Sequence, residues 1–121
     1  MERVTHFEIP SDDPEKSMAF YEKTFGWKYH RWGTEEYWMA MTGDAKTLGI
    51  DGAIMKKRDA QQPVVNSIAV NNIHQTISEI EKNGGTIVVP LMPLPGVGWL
   101  AYFKDPDQNI FGVMQEDKNA K

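Results

Sequence analysis

The sequence predicts an α+β fold: two βαβββ modules whose curled mixed sheets surround a central cavity, with the helices on the outer face. Three observations carry this. Four segments of the chain recur in the same order at a nearly fixed offset. Two helices with one apolar face each are marked by capping residues at the start and glycine at the end. Each helix follows one alternating strand and precedes three more.

The elements are legible in order. Val4–Pro10 alternates and reads as a strand. Ser11-Asp12-Asp13-Pro14-Glu15 then opens a helix with a capping aspartate, proline at the first helical position and an acid in the first turn. Met18, Ala19, Phe20, Tyr21 and Phe25 supply its apolar face, and Gly26 stops it. Strands follow at about Trp27–Gly33, Tyr37–Thr42 and Gly49–Lys57, separated by Gly33-Thr34-Glu35 and Thr42-Gly43-Asp44. Asp59-Ala60-Gln61-Gln62-Pro63 is a polar linker. The second module repeats the pattern: a strand at Val64–Val70, a helix at Ile73–Asn83 led by Asn71-Asn72, and strands at Thr86–Leu91, Gly98–Lys104 and Ile110–Gln115. Module one is thus about residues 1–58, the linker 59–63 and module two about 64–117, within a single domain.

The duplication rests on an ordered series of matches. Glu22-Lys23-Thr24-Phe25-Gly26 overlays Glu81-Lys82-Asn83-Gly84-Gly85, an offset of 81 − 22 = 59. The stretches around Trp38-Met39-Ala40 and Trp99-Leu100-Ala101 overlay at 99 − 38 = 61, and Gly52 overlays Gly112 at 112 − 52 = 60. One short match is common by chance; an ordered set is much less so. At these offsets Trp38 and Trp99 are expected to be equivalent.

Composition narrows the function classes. With 121 residues, 40% hydrophobic and 25% charged, the chain is one ordinary globular domain. It has no cysteine, so disulfides and zinc–thiolate sites are excluded. MERVTHFEIP lacks the apolar core of a signal peptide, and no apolar run reaches the roughly 20 residues of a membrane span. A cytoplasmic location is expected. Net charge is −4, and Lys56-Lys57-Arg58, followed by Asp59, reads as a solvated strand end. No nucleic-acid or membrane partner is expected.

Alternation assigns faces. Phe7 and Ile9 suit the first helix, which leaves Val4, His6 and Glu8 for the cavity; in module two, Ile68 and Val70 suit the helix, and Val65, Ser67 and Ala69 the cavity. Phe111 and Val113 read as helix-facing, so Ile110, Gly112 and Met114 face inward, and by the same offset so do Ile50, Gly52 and Ile54.

THFEIPSDDPEKSMAFYEKTFGWK and NGGTIVVPLMPLPGVGWLAYFKDPDQNIFGVMQ resemble the vicinal oxygen chelate superfamily, which includes glyoxalase I, bleomycin-resistance proteins and extradiol dioxygenases. FYEKTFGW with a later FKDPDQN is fairly specific for the superfamily and poorly specific for any one activity. The resemblance implies four metal-ligand positions, on the first and last strand of each module. Carried over, these are His6, Gly52, Val65 and Gly112, of which only His6 can ligate. Glu8 shares the face of His6 and has an oxygen to offer, whereas Asp51 is expected to point away. No cofactor is therefore expected, with a divalent metal as the alternative.

His6 has two readings: a remnant ligand or general base with Glu8, or a histidine satisfied by Glu8 or backbone. Trp38 and Trp99 are either paired walls for a flat apolar ligand or core residues. Met92-Pro93-Leu94-Pro95-Gly96-Val97-Gly98 is expected to close the cavity mouth and set Leu94 and Val97, with Met114, against a ligand. The favoured function is a glyoxalase-like homodimer that binds or modifies a small, partly apolar molecule without a full metal site, with His6 and Glu8 as its catalytic candidates. The alternatives are a divalent-metal-dependent lyase or dioxygenase using His6 and Glu8, and a non-catalytic structural or regulatory dimer.

Overall fold

A computed structural model describes residues 2–121. The chain divides into two units, residues 6–64 and residues 65–121, the latter taking in the chain's start through Thr5. Each is described by itself.

Module one contains β1 (Arg3–Ser11), α1 (Pro14–Phe25), β2 (Lys28–Arg31), β3 (Tyr37–Met41) and β4 (Gly52–Lys56). Its strand order is β2-β3-β4-β1, with β1 and β4 parallel and the other pairs antiparallel. Helix α1 begins where the capping signal places it: the Asp13 carboxylate accepts the Lys16 amide at 3.2 Å, and Pro14 occupies the first turn. Gly26 closes it at φ 80°, a left-handed turn that glycine adopts without strain. Trp27 leaves the sheet to stack on Tyr21 at 4.7 Å between ring centroids and to meet Phe7 at 5.6 Å, which shortens β2 and fixes which face α1 covers.

Module two contains β5 (Val65–Ala69), α2 (Ile73–Lys82), β6 (Thr86–Leu94), β7 (Gly98–Lys104) and β8 (Ile110–Glu116), in the order β5-β8-β7-β6. Asn72 caps α2 by accepting the Gln75 amide, and the Gln115 side chain accepts the otherwise orphaned amide of Ile73 at 2.8 Å. The core of this module is Val70, Ile73, Ala101 and Val113, with Ile68, Ile77, Ile80, Leu91, Trp99 and Phe103 packed around it. Strand β6 runs three residues beyond its expected end and includes Pro90 and Pro93; a strand at the end of the sheet order tolerates proline because one side carries no ladder. No helix among the described residues is long and apolar enough to cross a membrane.

The α+β class and the repeated βαβββ order are as the sequence predicts. One register inference is not. Phe7 pairs with Gly52 and Glu8 with Ala53, whereas in module two Ser67 pairs with Gly112. Since Glu8 overlays Ser67 at 67 − 8 = 59, the counterpart of Gly112 is Ala53, not Gly52. A slip of one residue exchanges the faces of a strand. Gly52 and Ile54 therefore lie on the helix side with Phe7, and Ala53 and Met55 on the other, open side.

Candidate functional site

The open face of module one can be laid out from its pairings. Across β2, β3, β4 and β1, one row reads His30, Met39, Ala53, Glu8. The next pairs Tyr37, Met55 and Pro10, with Trp32 beside Tyr37 because its backbone N–H donates a hydrogen bond to the Tyr37 carbonyl at 2.9 Å. His6 lies two residues before Glu8 on the same face.

Tyr37 joins the two candidate residues. Its hydroxyl donates to Glu8 Oε2 at 2.8 Å and lies 3.1 Å from His6 Nε2. A phenol has one proton. Given to Glu8, it leaves the Tyr37 oxygen as an acceptor, so His6 Nε2 carries a proton and its Nδ1 carries a lone pair. The result is a directed chain, His6 to Tyr37 to Glu8, among three half-buried side chains. Tyr37 starts two strands away from Glu8 and must cross β4 to reach it. Ala53, small and fully buried, is the β4 residue in Glu8's row.

Burial holds the His6 imidazole below its ordinary pKa, against smaller opposite effects of the Glu8 and Asp51 carboxylates. Asp51 is nearer than expected because Gly52 faces the helix side, which turns its neighbour toward the open face. Asp51 itself is tied to Thr42, accepting from the backbone amide at 2.9 Å and the hydroxyl at 3.2 Å.

The metal-ligand positions implied by the resemblance do not hold a donor set. Gly52 faces away, and a Cβ there would stand 2.4 Å from the Phe7 ring, so no side chain fits without displacing it. Its register counterpart Ala53 has no donor atom, and neither do Val65 and Gly112. A Cβ on Gly112 would lie 2.6 Å from the Ser67 hydroxyl. Among the described residues, no three His, Cys, Asp or Glu side chains gather where an ion would be held. His6 and Glu8 are instead bridged through a phenol. The residues present do not fit a chelated divalent ion.

The remaining candidates fall in separate places. Trp99 packs on the core around α2, and its indole N–H donates to Asp117 at 3.2 Å. Trp38 pairs with Ile54 on the helix side of module one, where the Arg31 guanidinium lies 5.1 Å from its ring centroid. Both indoles thus lie on the helix-covered face, which corrects their expected place as cavity walls. They are not register equivalents either: the residue opposite Val113, as Trp38 is opposite Ile54, is Ala101. Leu94 and Met114 do share module two's open face, through the pairings Leu94–Gly98, Met92–Leu100 and Leu100–Met114. Val97 is in the turn, exposed, with its carbonyl accepting the Asp117 amide. The Pro95–Val97 segment is a tight turn held by the C-terminal residues, with Gly96 N–H donating to the Ala120 carbonyl, rather than a free loop.

Tyr37 and Trp32 are the residues that sequence reasoning missed. Tyr37 is first in a strand that alternates with the tryptophan, and the parity that places Trp38 on the helix side is the signal that would have found it. Trp32 meets the Tyr37 ring edge-on at 5.9 Å and is 38% exposed. In module two, a cleft of about 270 Å³ lined by Glu2, Asn71, Asn72, Gln75, Thr76 and Glu79 lies at the start of α2.

The comparisons with known proteins agree with this fold. Residues 3–113 match the model of the Glyoxalase/Bleomycin resistance protein/Dioxygenase superfamily. The chain belongs to that superfamily. It is 26% identical over 117 residues to a glyoxylase-like domain-containing protein of Didymella fabae, covering 92% of this chain and 91% of that one. A superfamily member from Vibrio splendidus 12B01 superposes with a TM-score of 0.68 at 17% identity, over 96% of this chain and 100% of that one. Methylmalonyl-CoA epimerase from Mycobacterium tuberculosis does so with a TM-score of 0.67 at 9% identity, over 94% and 87%. At such identities these structures establish the shared fold alone.

Proposed function

We propose that this glyoxalase-like protein binds a small, partly apolar molecule against the open face of module one, through side-chain chemistry rather than ion chelation. The observation that carries the reading is the His6–Tyr37–Glu8 chain. A half-buried polar chain of this kind beside the half-buried Met39 and the exposed Trp32 offers both oriented hydrogen bonding and apolar surface, the usual make-up of a small-molecule site. Where the bound molecule is transformed, His6 and Glu8 are the groups that exchange protons with it, in glyoxalase-type lyase chemistry. A homodimer belongs to the same reading: Phe20 and Phe25 on α1 are 57% and 63% exposed, apolar surface that a second copy would cover.

The test is a fragment screen on chelator-treated protein, read by tryptophan emission and repeated with Tyr37→Phe and His6→Ala. Binding that is indifferent to chelator and weakened in both variants is expected. Micromolar binding of Ni²⁺, Zn²⁺, Mn²⁺ or Fe²⁺ that is lost in His6→Ala would overturn the reading in favour of a chelate site.

A further inference from the structure

Strand β3 reads Tyr37-Trp38-Met39-Ala40-Met41, and contacts on its other side fix which way the methionines point. Trp38 stands across from Arg31, whose guanidinium lies 5.1 Å from the indole centroid. Ala40, fully buried, stands between Tyr29 and Gly52. These residues belong to the helix-covered side, so Met39 and Met41 both lie on the open face. His30 on β2 is the direct partner of Met39. Opposite residues of an antiparallel pair share a face with their Cβ atoms about 4.5–5.5 Å apart, and residues two apart in a strand are separated by roughly 7 Å. Two thioethers on flexible unbranched stems and one imidazole are therefore within reach of a single ion.

The ordinary role of methionine is to fill irregular gaps in a core. Met41 is 37% exposed and His30 is exposed too, so core filling does not account for this set. Lys28 stands across from Met41, the one unfavourable charge in that pairing, but its ammonium lies 3.7 Å from the Glu22 carboxylate on α1.

We infer that Met39, Met41 and His30 form a site for a soft monovalent metal ion of the copper(I) or silver(I) class. Thioether sulfur and imidazole nitrogen suit such an ion, and a neutral set of donors suits a single positive charge. Hard divalent ions take carboxylate and carbonyl oxygens, of which this set of side chains has none. The site thus differs in kind from the chelate site that Val65 and Gly112 fail to complete, and it uses no member of the His6–Tyr37–Glu8 chain.

The probe is Ag⁺, which keeps one oxidation state, titrated into chelator-treated protein in chloride-free buffer at pH 7.5 and read by calorimetry and tryptophan emission. Binding of about one ion per chain is expected, with a dissociation constant in the micromolar range or below. Met39→Leu, Met41→Leu and His30→Gln should each weaken it at least about tenfold. Exchanging methionine for leucine nearly conserves volume, and urea midpoints close to wild type check that the variants are folded. Met18→Leu, on α1, is the control and should bind Ag⁺ as wild type does. Cu⁺, supplied anaerobically against a chromophoric competitor, should follow the same pattern, and Zn²⁺ or Mn²⁺ should not displace Ag⁺. No Ag⁺ binding, equal binding in the three variants, or an equal loss in Met18→Leu overturns the inference. The reading under Proposed function stands or falls separately: it depends on the fragment screen with Tyr37→Phe and His6→Ala, which an Ag⁺ result does not alter.

Discussion

Replacing Tyr37 by phenylalanine removes one oxygen and keeps the ring, so its effect isolates the chain that joins His6 to Glu8. The bond it donates to Glu8 and the one it accepts from His6 are lost. The bond to Glu8, at 2.8 Å, has a carboxylate acceptor and belongs to the class contributing about 1.5–3 kcal/mol; that from His6, at 3.1 Å, belongs to the neutral class of about 0.5–1.5 kcal/mol. All three side chains are half-buried, so water replaces part of what is lost. The net destabilisation should then be about 1–3 kcal/mol. With a urea slope on the order of 1–3 kcal/mol per molar for a protein of this size, the midpoint should fall by roughly 1 M at unchanged slope. The assay is urea unfolding at pH 7.5, followed by far-UV circular dichroism, with Glu8→Gln and the double variant to close a cycle. A coupling of at least about 0.5 kcal/mol is expected for residues in direct contact. A loss within the roughly ±0.5 kcal/mol typical of surface substitutions would refute the argument, because it would mean that the phenol holds neither partner.

The same substitution at Tyr29 should have the opposite sign. The Tyr29 hydroxyl is buried without a partner, and burial, with lesser help from Glu22 and Tyr21, holds its pKa above 10.0, so Tyr29→Phe should be neutral or stabilising by up to about 1 kcal/mol in the same urea assay. The lowered His6 pKa fixes a pH dependence. The unfolded chain, at about 6.5, binds the proton more readily than the fold does, so this contribution to stability is complete above 6.5 and is lost as pH falls through the folded value. The wild-type urea midpoint should fall from pH 7.5 to 5.5 more steeply than that of His6→Gln; parallel curves would refute it. Gly52→Ala should cost about 1–3 kcal/mol through overpacking against Phe7, and much less in a Phe7→Leu background, where the ring that a Cβ would meet at 2.4 Å is gone.

The helices were legible because their signals are local: Asp13, Pro14 and Gly26 act within one turn of the residues they organise. The strand faces were legible in module two, where Ile68, Val70 and Val113 pack around α2 as alternation requires. In module one the same reasoning gave the face of β1 correctly and that of β4 incorrectly. The reason is physical. Gly52 and Gly112 look equivalent in sequence, yet each is a glycine for its own local reason, the first because the Phe7 ring fills the space above it and the second because the Ser67 hydroxyl does. Register is a property of paired strands, and no residue of β4 states its own pairing partner. The Trp-Ala echo misled in the same way: Trp38 lies opposite Ile54 while Ala101, not Trp99, lies opposite Val113.

The corrected register changes what the candidate site means. If Gly52 had faced the open side, the first module would be an ion site with one ligand deleted. With Ala53 there instead, the position reads differently: a small side chain in β4 shares the row of Glu8, next to the row of Tyr37, on the side the phenol takes from β3 to its bond with Glu8 on β1. An alanine that is fully buried next to a half-buried glutamate is explained by that crossing ring better than by the absence of a metal ligand. The consequence can be separated experimentally. Ala53→Val adds two methyl groups to the β4 position beneath the expected path of Tyr37, and it should cost stability of the order seen for overpacked cores, about 1–3 kcal/mol. In a Tyr37→Ala background the same change should cost far less, because the space above β4 is then open. If Ala53→Val is equally costly with and without the Tyr37 ring, alanine is required by something other than the crossing tyrosine, and the open face of module one is not organised around the His6–Tyr37–Glu8 chain.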